Sequence, residues 1–410
     1  MLYKVAGIDV HKKVLMVVVT DAAAEELEFE SRRFGTTASE REHLVAWLQE
    51  RGVEEIVMES TAQYWKPMWL DLEPHFAKLH LAQAHSNRAP KGRKHDFADA
   101  QRLTRRQIAG ELILSFVPDA EQRSWRTITR AKVQLVRDRV RLQNQLEALL
   151  EETRIKLSSV ISELLGSSGR RILRALAEGE SDPAELAKRG DFRLKCSQEV
   201  LTDALRGQCQ PLHRQMLKLF LERLDLLDRQ SQQLDQMAAG AMQRYEDAVI
   251  RLAAVPGFGP DSAQQTIAEV GAQAKSFDSP ARFASWTGLC PGREESAEHN
   301  HSSRSPKGNK FLRRILTQAA QAAVKKKGSH FQNVFRRWLP RLGYQAAIWA
   351  IAHKLARLVW KILHDRIHYI ERGQDHPSVN HRRARKMLRV LRSMGYKVEI
   401  SPLNPQPIHG

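Results

Sequence analysis

The chain changes its hydrophobic period near residue 120, and this limits its possible folds more than any other feature of the sequence. Before that point the apolar residues come in short β-branched or alternating runs: YKVAGID (3–9), VLMVVVT (14–20), LEFESRRF (27–34), EEIVMES (54–60) and AKLHLAQ (77–83). Runs of that length and period read as strands. Between them, 38–51 places Leu44, Val45, Trp47 and Leu48 on one side of a helix, 62–72 reads as a second helix, and a third runs from Asp96 towards Ile108. The order β-β-β-α-β-α-β-α predicts a mixed sheet with helices packed on it.

Beyond residue 120 the period becomes helical. WRTITRAKVQLVRDRVRLQNQLEALLEETRIKL spaces Ile128, Val133, Val136, Val140, Leu142, Leu146 and Leu149 three to four apart, and a second run of this kind covers 212–237. Two long amphipathic helices with a Gly- and Pro-containing middle predict an antiparallel hairpin, a coiled-coil dimer element, or two members of an ordinary bundle. VPGFGP at 255–260 precedes a helical stretch. Gly257 and Gly259 there could expose backbone N–H groups to a phosphate, as a helix-hairpin-helix turn does, or form a plain turn. From 309 onward the chain reads as basic amphipathic helices, and 371–410 as an Arg-rich, loosely ordered tail.

Charge divides as unevenly as period does. The formal net charge is +18, yet residues 1–300 carry 42 Lys and Arg against 43 Asp and Glu, while residues 301–410 carry 23 against 4. A basic block of that kind calls for a polyanion, and nucleic acid is the commonest one. Cys196, Cys209 and Cys290 are too few and too scattered for a disulfide framework or a zinc site, which fits a reducing cytoplasm. The N-terminus lacks the pattern of a signal peptide. The longest apolar stretch near the C-terminus is interrupted by His353, Lys354 and Arg357, so no membrane span is expected.

Chemistry is expected where acids end strands. Asp9 closes the first strand and Glu59 the fourth. An unpaired charge is costly to bury, so two such positions suggest a shared ligand if the strands are neighbours. Asp96 and Asp99 lie three apart at a helix start and project from one face, though helix-capping would also explain an acid there. Four carboxylates suit Mg²⁺ or Mn²⁺, and a two-metal site is a standard device for phosphoryl displacement.

GIDVHK, MESTAQYW and KHDFADA together resemble the DEDD transposases of insertion-sequence family one-ten, including its eleven-eleven subgroup. AAVPGFGPDSAQQTIAEVG, FASWTGLCPGREES and SPKGNKFLRRIL resemble, in the same order, the transposase-specific second domain of that family. The likeness covers 1–110 and about 250–365. It implies an RNase H-like (RuvC-like) α/β domain at 1–115, a long helical or coiled-coil linker and oligomerisation region at 116–248, a mainly α transposase domain at 249–370 and a basic tail at 371–410.

The resemblance also implies roles. Asp9, Glu59, Asp96 and Asp99 would bind Mg²⁺, and Ser296, following GLCPGREE, would be the nucleophile that links covalently to DNA. The family commonly has Gly after that serine where this chain has Ala297, which keeps Ser302, Ser303 and Ser305 as alternatives. Serine is inert at neutral pH unless its proton is removed or stabilised, and a metal-rich neighbour could do so. Arg293, Arg304, Lys307, Lys310, Arg313 and Arg314 flank it and would screen phosphate charge, or form a solvated basic loop that binds DNA. His299 and His301 are nearby and could carry protons, or simply belong to a polar loop. The family's structured guide RNA and the need to hold two DNA partners imply an RNA partner and a homo-oligomer, dimer or tetramer. Rival readings are a DNA invertase of the pilin-inversion type, a RuvC-like structure-selective nuclease, and a non-catalytic nucleic-acid-binding protein.

Overall fold

A computed structural model describes residues 3–59, 62–84, 97–291, 294–296, 299–302, 305, 307–371, 387–394 and 397–398, with the backbone alone at 294–296 and 299–302. The chain divides into two compact units, 1–118 and 119–410.

The first unit is built on a five-stranded sheet. Strands β1 (Lys4–Val10), β2 (Val14–Asp21) and β3 (Glu30–Gly35) form an antiparallel meander. After helix α1 (Ala38–Glu50), β4 (Val53–Glu59) returns parallel to β1 on its free side. After α2 (Trp65–Leu72), β5 (Lys78–Ala82) adds parallel to β4, which gives the order β3-β2-β1-β4-β5. This mixed sheet is compatible with an RNase H-like fold. Boundaries differ slightly from the expected ones: the third strand starts at Glu30 rather than 27, and the second helix at Trp65 rather than 62.

Side chains alternate across a strand, and here the alternation sorts β1 into two roles. Ala6, Ile8 and Val10 join Leu15, Val17, Ile56 and Met58 in the core under α1 and α2. Val5, Gly7 and Asp9 point the other way, towards α3 (Ala98–Ile108). A Cβ at Gly7 would lie 2.0 Å from Thr104 Oγ1 and 2.7 Å from the Ala100 carbonyl, so glycine is what lets α3 lie directly on β1. Val57, Ala82 and Leu103 complete that thin second core.

Among its described residues the second unit is helical apart from one hairpin. The long helices α4 (Ala120–Glu152) and α9 (Pro211–Ala241) run antiparallel within the same chain, with Lys132 paired to Asp235 and Arg139 to Asp228. Between them lie α5 (Leu157–Val160), α6 (Ser167–Glu178), α7 (Pro183–Ala187) and α8 (Gln198–Ala204). These short helices close one end of the pair around Leu142, Leu146, Ile172, Leu173 and Leu221. The opposite end, marked by Trp125, enters a larger core formed by α10 (Glu246–Ala253), α11 (Pro260–Val270), α12 (Pro280–Trp286), α13 (Lys310–Ala323) and α14 (His330–His364). Strands β6 (Glu294–Ser296) and β7 (His299–Ser302) form the hairpin.

Two residues expected on the apolar seam of α4 are not there: Val136 and Val140 are 52% and 53% exposed. At their level the helices are joined by the ion pairs of Lys132 and Arg139, so the seam is partly ionic. Among the described residues no helix is long and apolar enough to cross a membrane. The three cysteines are free thiols.

Candidate active site

Asp9 and Glu59 lie at one end and on one face of the sheet. Asp9 is the second-last residue of β1, on the α3 face. The parallel register Ile8↔Met58 brings Glu59, the last residue of β4, to the adjacent position on the neighbouring strand. Asp99 sits in the first turn of α3, close enough for its charge to act on Asp9. Asp96 lies outside the described residues, and among those described no three His, Cys, Asp or Glu side chains are grouped as a metal site.

Asp9 is held in an unfavourable setting for an anion. Its side chain is only 14% exposed. Burial, and the Asp99 carboxylate beside it, push its carboxyl above the usual aspartate range, against the opposing pull of His11 and Arg102. His11 Nε2 lies 3.0 Å from Asp9 Oδ2, and Arg102 Nη1 lies 2.8 Å from Asp99 Oδ1. A half-buried acid with a second acid within electrostatic reach offers oxygen donors of the kind that hard divalent cations take.

Glu55 shows what a structural acid on the same face looks like. It is bonded by Tyr3 Oη, by Gln107 Nε2 at 2.6 Å and by His80 Nε2 at 3.1 Å. Burial opposes its charge, but the hydrogen bonds from Tyr3 and Gln107 and the charges of His80 and Lys78 prevail, and its carboxyl sits below the usual glutamate range.

The second unit carries the serine. Ser296 ends β6 and pairs with His299 of β7, which places it at the turn end of the hairpin, and His301 lies further along β7. Of the alternatives, Ser302 ends β7, Ser303 lies outside the described residues, and the Ser305 hydroxyl accepts a hydrogen bond from Trp349 Nε1 at 3.1 Å. Arg293 and Arg304 also lie outside them. Lys307 and Lys310 are exposed. Arg313 lies over the Trp349 ring, while Arg314 donates to Gln265 Oε1 at 2.8 Å and burial pulls its pKa down.

The glycine turn has internal work to do. Gly257 has φ +89°, and a Cβ there would lie 2.1 Å from the Ala319 carbonyl, so it allows the turn to touch α13. The Gly259 N–H donates to Ser262 Oγ at 2.8 Å.

One residue that motif reading passed over organises this unit. Glu269, 1% exposed, receives Arg130 Nε at 2.8 Å and Nη2 at 2.9 Å, and Asn309 Nδ2 at 2.7 Å, with Arg126 Nε at 3.5 Å. Burial lowers the Arg126 pKa to about 10. Asn309 in turn accepts from the Phe311 and Leu312 N–H groups and caps α13. The signal was present: an acid in the last turn of a helix opposes the helix dipole and needs a dedicated partner. Glu269→Gln should cost about 3 kcal/mol, because it removes the buried charge that Arg130 and Asn309 bond and that offsets the burial of Arg126, whose bonds to the Ala268 and Glu269 carbonyls remain. Denaturant unfolding measures this, and an unchanged midpoint would refute it.

Comparison with known proteins matches both parts of the chain. Residues 6–155 match a DEDD transposase model of the IS110 type, and residues 250–336 match the model described as Transposase IS116/IS110/IS902 family. A probable family 20 transposase of Pseudomonas aeruginosa PAO1 is 29% identical over 283 residues, spanning 67% of this chain and 73% of that protein. The sheet with its acids falls in the first matched segment and the serine hairpin in the second, and the protein is accordingly a transposase of the IS110 family.

Proposed function

We propose that this transposase cuts and exchanges DNA strands with Ser296 as nucleophile, at a divalent-cation site made by Asp9, Glu59, Asp96 and Asp99. The observation that supports the reading is the setting of Asp9: a half-buried carboxylate within electrostatic reach of Asp99 that shares a sheet end with Glu59. Bound Mg²⁺, with Mn²⁺ as a substitute, would supply Lewis-acid stabilisation of the charge that develops on the phosphate.

The protein's own groups do the remainder. Ser296 Oγ forms a bond to the scissile phosphorus, and a deoxyribose hydroxyl departs with the proton that the serine gives up. Attack by the hydroxyl of a partner strand then breaks the serine–phosphorus bond and returns the proton to the serine. Lys307, Lys310 and Arg313, with Arg293 and Arg304, screen phosphate charge around the serine. Arg314 and the Gly257–Gly259 turn belong to the same nucleic-acid-binding surface.

The four-part division at 115, 248 and 370 assigns the metal site to the first part and the serine to the third. The helical part between them holds copies of the chain together as a dimer or tetramer in the cytoplasm. The basic surplus of 301–410 serves DNA and a structured guide RNA, which leaves sequence choice to base pairing.

The test combines the full chain, Mg²⁺, RNA transcribed from the element's end and labelled DNA carrying that end. A protein–DNA adduct that survives denaturation and vanishes with EDTA is the expected result. Cleavage without an adduct would overturn the serine mechanism.

A further inference from the structure

Helix α14 is broken. Gly343 has φ 73° and ψ 170°, far from helical values, three residues after Pro340, which lacks the N–H that a helix interior needs. The two arms therefore fold against each other, and the side chains around the break line a cavity of about 640 Å³. Trp338 comes from the first arm, and Trp349, His353 and Lys354 from the second, where the spacing of four places Trp349 and His353 on one face. Ser305, three residues beyond the serine hairpin, closes one side and fixes the Trp349 indole by accepting its N–H.

Two indoles stand in an otherwise largely aliphatic wall, with Lys354 the cation among the described lining residues and Arg313 beside it on Trp349. Lys354 Nζ lies 5.6 Å from the Trp338 ring centre, and the Arg313 guanidinium lies 5.7 Å from that of Trp349. No acid is among the described lining residues. The volume falls within the range of about 300–1,000 Å³ usual for small-ligand sites. Half-buried indoles with cations beside them are the means by which proteins hold unpaired bases: the π-face stacks on the ring and the cations take the flanking phosphates.

We propose that this cleft takes one unpaired nucleobase of the DNA strand being processed, stacked against Trp338 and Trp349, with Arg313 and Lys354 on its flanking phosphates. This rests on the reading of the basic C-terminal part as a DNA-binding surface. Burial, with Arg357 and Lys354 nearby, keeps the His353 pKa below the usual imidazole range. The ring is therefore neutral at pH 7 and offers a donor and an acceptor to a base edge.

The test compares two DNA duplexes of one sequence, with 2-aminopurine either bulged out or paired, on the full-length protein. The bulged duplex should bind about tenfold more tightly, with a change in probe emission. Ala346→Trp fills the cleft from an exposed position, and Trp338→Ala removes a wall. Both should bring the ratio to about one, while Trp338→Phe preserves it. Ala346→Trp keeps the test decisive if Trp338→Ala melts early.

Equal wild-type affinity for the two duplexes overturns the cleft proposal and leaves the DNA-binding reading standing. Failure to bind either duplex overturns both. A ratio unmoved by Ala346→Trp, or a larger one for a bulged base in RNA, also overturns the cleft proposal.

Discussion

Ser296→Ala should remove the covalent protein–DNA adduct completely and lower strand exchange by about 10⁴-fold or more, the scale of loss when a nucleophile is deleted from a group that acts as a unit. DNA affinity and thermal stability should stay close to wild type. Position 296 ends a three-residue strand that, among the described residues, pairs with β7 alone, so the substitution disturbs little backbone structure. The hydroxyls at 302, 303 and 305 provide the internal comparison. Ser305 is already the acceptor for the Trp349 N–H, and Ser305→Ala should shift that indole while the adduct persists. An adduct that survives Ser296→Ala and disappears with Ser302→Ala would move the nucleophile along the hairpin. Phosphopeptide mapping of the trapped adduct distinguishes the two directly.

The first unit was largely readable because two-residue alternation leaves little freedom. A strand that reads VAGIDV must turn Ala6, Ile8 and Val10 to one side and Gly7 and Asp9 to the other. Once β4 lies parallel to β1 in the register Ile8↔Met58, Glu59 comes beside Asp9. Local periodicity could not say that α3 lies directly on β1. That depends on the missing side chain of Gly7 meeting Thr104, almost a hundred residues away.

In the helical unit the period reveals that a helix forms, not which stripe is covered. Val136 and Val140 have the right spacing for the seam with α9 and face outward instead, since Lys132–Asp235 and Arg139–Asp228 occupy the contact at that level. The stretch from Tyr344 reads as a basic amphipathic helix, yet Ile351, Leu355, Val359 and Leu363 lie deep in the core. Glu269 escaped for a related reason. Its partners Arg126, Arg130 and Asn309 come from two other helices and have no fixed sequence offset from it.

Asp9→Asn should abolish cleavage and, at the same time, make the cation-free protein more stable. The wild-type carboxylate is half-buried and within reach of the Asp99 charge, and both effects penalise its charge in the folded state. An amide of the same shape carries no such penalty, so stability without Mg²⁺ should rise by about 1 kcal/mol, seen as a melting point a few degrees higher. Adding Mg²⁺ should raise the melting point of the wild type and leave that of the variant unmoved, because a ligand stabilises only the state that binds it. Activity should fall by about 10⁴-fold, a loss of about 5 kcal/mol in transition-state stabilisation. If Asp9 served only as the ionic partner of His11, which is 55% exposed, the asparagine variant would be neutral or slightly less stable, by about 0–1 kcal/mol, and Mg²⁺ would affect both proteins alike. Glu55→Gln is the matching control. Its carboxylate is satisfied by Tyr3, Gln107 and His80, so its loss should lower the melting point with and without Mg²⁺ and leave the increment from the cation intact.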